Sequence, residues 1–208
     1  MKNAPYVVSS ADEHLIVGAG DRIYARGLAE DQGDRFHVFR PGNPYIDPVT
    51  KEVLGHEALF LGDGSLQKFG DPSTLKLTKT TREINIGDRL MPITQEDVYA
   101  YFTPHSPDTS IEGTIIAVVD GVSQIGQYQI VVLNRGTRES VDVGTVFEIF
   151  QTGELIVDQV STERNAKIKL PDEKAGTLMV FRTFDKVSFG LVMKATSALH
   201  VGDTIRNP

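Results

Sequence analysis

The stretch INIGDRLMP, Ile84 to Pro92, recurs at the end of the chain as LHVGDTIRNP, Leu199 to Pro208. In each, a Gly-Asp pair interrupts an apolar alternation. Glycine reaches positive φ without penalty, and aspartate bonds its side chain to the backbone ahead, so the pair turns the chain. The alternating apolar positions are Ile84, Ile86 and Leu90 in one copy and Leu199, Val201 and Ile205 in the other. Both read as a strand, a turn and a second strand closing a β unit. A chain that writes this twice, about half its length apart, is held to two similar β units.

Further matches follow in the same order. YARG (Tyr24 to Gly27) answers LNRG (Leu133 to Gly136) at an offset of 109, and FHVF (Phe36 to Phe39) answers FEIF (Phe147 to Phe150) at 111. LKLTKTTREINIGDRL answers GLVMKATSALHVGDTI at 115. The offset drifts because loops absorb insertions at little cost. The runs between them, among them RIYARG, RFHVFR, TLKLTKT, TIIAVV, YQIVVLN, TVFEIF, AKIKL and VSFGLVMKA, alternate with period two and end at Gly, Pro, Asp or Asn, which is the signature of strands. Each half reads as about 95 to 100 residues with about six strands, and a sheet that small leaves fewest open edges by curling into a barrel. The expected fold is all-β: two tandem small β-barrel or barrel-like units related by internal duplication, with a short helical connector.

The connector is PITQEDVYAYFTPHSPDTSIEG, where Pro92, Pro104 and Pro107 discourage a continuing sheet. Within it TQEDVYAYF, Thr94 to Phe102, predicts a short helix capped by Thr94 with Glu96 and Asp97 in its first turn. The boundary falls near Ser106 to Ser110. That gives residues 1–105 as the first β unit with the connector and 106–208 as the second. The connector aromatics Tyr99, Tyr101 and Phe102 pack one unit against the other or anchor a partner.

A hydrophobic fraction of 40% and a charged fraction of 24% describe a chain that folds, in either one large or two ordinary domains. A net charge of -7, with no cluster of Lys and Arg, argues against a nucleic-acid partner. With no cysteine, disulfides, thiolate zinc sites and cysteine nucleophiles are excluded, while the compartment is left open. The start MKNAPYVVSS has no apolar run long enough for a secretory signal or a spanning helix. Met1 reads as an added start before a segment whose preceding part has been cut away.

Catalytic motifs are incomplete. His56-Glu57-Ala58-Leu59-Phe60 begins like the zincin HExxH, but Phe60 fills the second ligand position and the context is a strand. His14, His37, His56, His105 and His200 form no i, i+4 pair. VGAGDRI offers Gly18 and Gly20 but has Ile23 where a dinucleotide fingerprint needs glycine, so it reads as a turn. LGDGS surrounds Ser65 without the flanks of a nucleophile elbow or a Walker loop. In YIDPVTKEV, Asp47 and Glu52 lack the calcium-loop glycine, and Asp47-Pro48 before Thr50-Lys51 predicts a hairpin turn. Asp88 and Asp203 are turn residues. No catalytic, cofactor or metal residues are assigned, and the chain reads as a non-enzyme, its binding residues unassigned.

The phrases APYVVSSADEHLIVGAGDRIYARG, VFRPGNPYIDPVTKEVLGHEA, IGQYQIVVLNRG and LPDEKAGTLMVFRTFDKVSFGLVMKATSALHVGD resemble the C-terminal region of the TsaP family of Gram-negative bacteria. These are LysM-containing, secretin-associated pilus proteins. Across nearly the whole chain the resemblance implies a region likened to the C-terminal domain of the flagellar ring protein FlgT. It implies a periplasmic location, the type IV pilus outer-membrane secretin as partner, and peptidoglycan held through an N-terminal LysM domain that this chain lacks, as it lacks the signal peptide. The expected function is a non-enzymatic scaffold or anchoring module, without direct membrane insertion. The alternatives are a peptidoglycan- or carbohydrate-binding module in its own right and a cell-wall hydrolase.

Overall fold

The computed structural model describes residues 4–11, 17–93, 102–119, 124–157 and 167–208. The protein is all-β. It divides into two compact units, Met1–Pro44 with His56–Tyr99, and Tyr45–Gly55 with Ala100–Pro208. Tyr45–Gly55 thus lies with the second unit, where the sequence order put it in the first, because Asp47 and Leu54 are buried there and Tyr45 packs against the same cluster. The expected helix Thr94 to Phe102 lies, but for Phe102, outside the described residues.

In the first unit the strands β1 (Tyr6–Ser10), β2 (Arg22–Arg26), β3 (Arg35–Ile46), β4 (Val53–Lys68), β5 (Ser73–Thr80) and β6 (Arg89–Pro92) close a barrel in the order β1-β2-β5-β4-β3-β6. Alternation explains which side chains fill it. Ile23 and Ala25 of RIYAR, Leu75 and Leu77 of STLKLTKT, and Phe36 and Val38 of RFHVF are buried, while their strand neighbours Arg22, Arg26, Lys76 and Arg35 are exposed.

In the second unit β7 (Glu112–Val118), β8 (Ile130–Leu133), β9 (Val146–Gln151), β12 (Glu173–Thr183), β13 (Ser188–Ala195) and β14 (Thr204–Arg206) close in the order β12-β13-β8-β7-β14-β9. Between β9 and β12 the chain makes a separate two-stranded sheet, β10 (Leu155–Val157) and β11 (Lys167–Lys169). Numbered within its own unit, each barrel has the cyclic order 1-2-5-4-3-6.

The irregularities coincide as well. Gly62 opposes Thr80, with register shifts after Asp63 and between Leu66 and Lys68; Gly176 opposes Ala195, with shifts after Thr177 and between Val180 and Arg182. The first strand of each barrel is bulged, between Val7 and Ser9 and between Ile115 and Ala117. Gly62 and Gly176 are required by close approach: a Cβ would lie 2.2 Å from the Lys79 carbonyl oxygen or 2.5 Å from that of Lys194.

Two sequence expectations are corrected by register. Ala25 pairs with Ser73 and Leu133 with Ser188, so Tyr24 occupies the place of Val132 and not of Leu133. The YARG-to-LNRG match is one residue out. Such a slip exchanges the two faces of a strand, setting outward Tyr24 against inward Leu133. The Gly-Asp stretches are also not hairpins. Residues 83–85 precede the turn without strand structure, and strand resumes only at Arg89. Ile84, Leu90, Leu199 and Ile205 are buried as expected, but Ile86 and Val201 are exposed, because period two does not persist through a turn.

The turns themselves are the same. Gly87 and Gly202 have φ of 94° and 106°, and their N–H groups donate to Val7 and Ile115 at 2.8 Å. The Asp88 carboxylate accepts from the Asn85 N–H at 2.7 Å, and Asp203 from His200 at 2.8 Å. The side chain bonds backward along the chain rather than ahead.

Candidate interaction surface

Asp47 follows β3, and its carboxylate holds the turn that leads into β4. Oδ1 accepts the N–H groups of Val49 and Thr50 at 2.9 and 2.8 Å, the self-bonding expected of aspartate at a turn. Oδ2 accepts from the Asn134 amide at 2.8 Å, and Asn134 Oδ1 in turn accepts the Thr114 N–H at 2.7 Å. Asp47 and Asn134 are 4% and 2% exposed. Burial pushes the Asp47 carboxyl up, but the bonds from Thr50, Val49 and Asn134 outweigh it and hold the group down at about 2. The anion is the settled state at neutral pH.

Around this bond Leu54, Val132 and Val187 form a small buried cluster, with Tyr45 and Phe189 edge to face at 6.5 Å. At its margin Glu52 receives Lys186 at 2.6 Å and Arg138 at 3.2 Å. Hydrogen bonds from both cations hold its carboxyl below the ordinary range. The hairpin turn expected at Asp47-Pro48 is present, and the surface of β8 that receives it is apolar. Sequence reasoning treated Asp47 and Glu52 as a failed calcium loop and missed that Asp47 accepts from Asn134 and that Glu52 pairs with Lys186 and Arg138. The signal was Val53 and Leu54 placed directly after a charged turn.

Among the described residues the remaining polar groups are held as follows. His105 Nε2 lies 3.0 Å from Asp142, but the Thr145 hydroxyl donates to that same Asp142 oxygen, so no imidazole activates the hydroxyl. The bond to the Thr103 carbonyl, with Asp142, raises the pKa of His105. His37 meets Asp63 at 2.6 Å beside Phe60, at an open cleft of about 240 Å³ lined by Arg35, Asp63, Ser65 and Thr78. A second cleft of about 290 Å³, against Lys174, Thr177, Lys194 and Thr196, has no carboxylate or imidazole. His56 is exposed on β4. Gly18 and Gly20 form the expected turn, closed by Asp21 accepting the Gly18 N–H at 2.8 Å. Among the described residues no three His, Asp or Glu side chains converge as a metal site, and no helix is long and apolar enough to cross a membrane. Asp88 is tied to Arg40 at 2.8 and 2.9 Å. Asp203 lacks such a cation, and its pKa is raised by burial.

The sheet of β10 and β11 is different in kind. It pairs Leu155 with Lys169, Ile156 with Ile168 and Val157 with Lys167, and all of these residues are exposed. Leu155 is 60% exposed, and Ile156, Val157, Ile168 and Leu170 are between 40% and 48%. Apolar side chains thus stand in solvent on both faces of this two-stranded sheet. Sequence reasoning found the β11 strand in AKIKL but not β10, because three consecutive apolar residues carry no alternation. Of the connector aromatics, Phe102 is exposed and Tyr99 and Tyr101 lie outside the described residues.

A scan against protein-family models and a search of curated proteins each found no match to this chain.

Proposed function

We propose that the chain is a non-enzymatic periplasmic scaffold: the C-terminal part of a peptidoglycan-linked protein that meets the type IV pilus secretin, built as two tandem barrels by internal duplication. The observation that carries the contact role is the β10–β11 sheet, whose apolar side chains stand in solvent on both faces. A surface of this chemistry gains by covering and has nothing to offer a small polar substrate. The secretin, the cell wall and the compartment come from the resemblance of the four quoted phrases to the TsaP family.

The duplication is supported by more than strand order. Equivalent bonds recur through the chain: Thr81 donates its N–H and its hydroxyl to the Leu61 carbonyl, and Thr196 does the same to Ala175. Gly18 bonds Asp21, and Gly126 bonds Gln129. Coincident bulges add weight, since a bulge sits at an arbitrary place in a sheet and tends to persist once fixed.

A pull-down of this chain on purified secretin tests the reading. Capture at micromolar concentration, weakened by I156S with I168S, supports it. No capture, while a protein carrying the LysM part binds, moves the contact out of this chain.

A further inference from the structure

Within the second unit, Tyr45–Gly55, the turn end of the β3–β4 hairpin, packs against Asn134, Val132, Lys186, Arg138 and Phe189. The β10–β11 arm stands at the same place in its own barrel, between the third and fourth barrel strands. Its sequence is also alike. IDPVTKE, Ile46 to Glu52, answers VDQVSTE, Val157 to Glu163, at an offset of 111, the offset that relates β3 to β9. Ile156 therefore stands where Tyr45 does, and by the β4-to-β12 register Ile168 stands where Leu54 does. Tyr45 and Leu54 are packed in an apolar cluster, whereas Ile156 and Ile168 are exposed.

The first unit has the matching face. By register, Tyr24, Arg26 and Thr74 occupy the places of Val132, Asn134 and Phe189, and Asp71 that of Lys186. Asp31 takes the place of Arg138 in the equivalent short 3-10 turn, Glu30–Gln32 against Thr137–Glu139. Arg26 and Asp71 pair with each other at 2.8 Å, and both are exposed. The charges of the receiving face are reversed, and the arm adds two lysines in β11. Where the second unit sets Lys186 and Arg138 against Glu52, this face offers Asp71 and Asp31, and the arm offers Lys167 and Lys169.

We propose that the β10–β11 arm of one copy docks on the first-unit face of a second copy, around Tyr24, Arg26, Asp71 and Thr74, as Tyr45–Gly55 packs within the second unit. The interface is heterologous, arm to face, so it propagates into a ring or a line of copies rather than closing as a two-fold dimer. The proposal rests on reading the arm as a contact surface, but its partner is another copy of this chain.

Sedimentation velocity from micromolar to hundreds of micromolar, at low salt, reads the association. The wild-type chain is expected to grow beyond a dimer. I156S with I168S, and separately D31K with D71K, are expected to weaken association roughly tenfold or more. D31K and D71K mixed with a K167E and K169E chain should recover it, since the charges then complement again. All six substitution sites are exposed, and circular dichroism checks that the barrels stay folded. A wild-type chain that remains monomeric throughout overturns the proposal, as does association that ignores the arm or a mixture that fails to recover. Secretin capture kept by the D31K and D71K chain separates failure here from failure of the scaffold reading.

Discussion

Replacing Asp47 by asparagine changes one atom and removes a charge, so its effect isolates the carboxylate from the packing. In D47N the side-chain oxygen can still accept from Val49 and Thr50. The new amide then faces the Asn134 amide, donor against donor, where a bond of 2.8 Å stood. Asn134 cannot turn over to answer it without surrendering the Thr114 N–H, which its oxygen accepts at 2.7 Å. A hydrogen bond to a charged group is worth about 1.5 to 3 kcal/mol, and the site is buried, so D47N is expected to cost about 2 kcal/mol near neutral pH.

The pH dependence is a second, independent reading. The folded carboxyl is held at about 2 against an ordinary 3.8. A depressed acid stabilises the fold above its unfolded pKa and loses that contribution as pH falls through the folded one. The difference corresponds to about 2 kcal/mol, present at neutral pH and lost progressively between about pH 4 and pH 2. Urea denaturation of wild type and D47N, followed on the transition of the second unit, measures both. The gap between them should shrink as the pH is lowered from about 7 to about 3. A gap under about 0.5 kcal/mol at neutral pH, or one that does not change on acidification, refutes the account of Asp47 as a buried, hydrogen-bonded anion.

Gly62→Ala and Gly176→Ala each force a Cβ onto a backbone carbonyl at 2.2 or 2.5 Å, and thermal melts should show a loss of about 2 to 3 kcal/mol for either. Arg40→Gln leaves Asp88 buried without its cation and should cost about 2 kcal/mol in urea melts. Gln151→Arg sets an arginine at the equivalent position near Asp203. Because Asp203 has a raised pKa, its ionisation now destabilises the fold as pH rises, and the arginine should restore about 1 kcal/mol at neutral pH and nothing well below pH 4. Ser188 has a buried hydroxyl without a partner, whereas Ser73 at the equivalent position donates to the Gly70 carbonyl at 2.7 Å. Ser73→Ala should therefore cost about 1 kcal/mol, and Ser188→Ala should be neutral or stabilising in the same assay.

The all-β class was legible because inward and outward residues alternate in the strands that line the barrels, as in β2, β5 and β9. The closing order was not, because it depends on which strands pair across long separations, and alternation says nothing of partners. The contact surfaces were hidden for a related reason. Val131, Val132 and Leu133 of β8 are all buried, so that strand lacks a polar face to read. At β10 the side chains are apolar on both faces, and an unpartnered strand of that kind resembles any short core strand.

What the proposed duplication has kept is backbone, and what it has let drift is the identity of core side chains. In the first barrel Gly64 leaves room beside Leu75, whose Cδ2 would lie 3.7 Å from an added Cβ. In the second the same two places are Leu178 and Gly190, and an added Cβ on Gly190 would meet the Leu178 side chain at 2.9 Å. One leucine serves each pair, contributed by opposite strands. Core volume is conserved while both letters change, which is the exchange that close packing permits. Letter-by-letter matching therefore succeeds in the Gly-Asp turns, where φ and a side-chain-to-backbone bond demand particular residues. It slipped by one position at Tyr24, where only the inward-facing pattern is constrained.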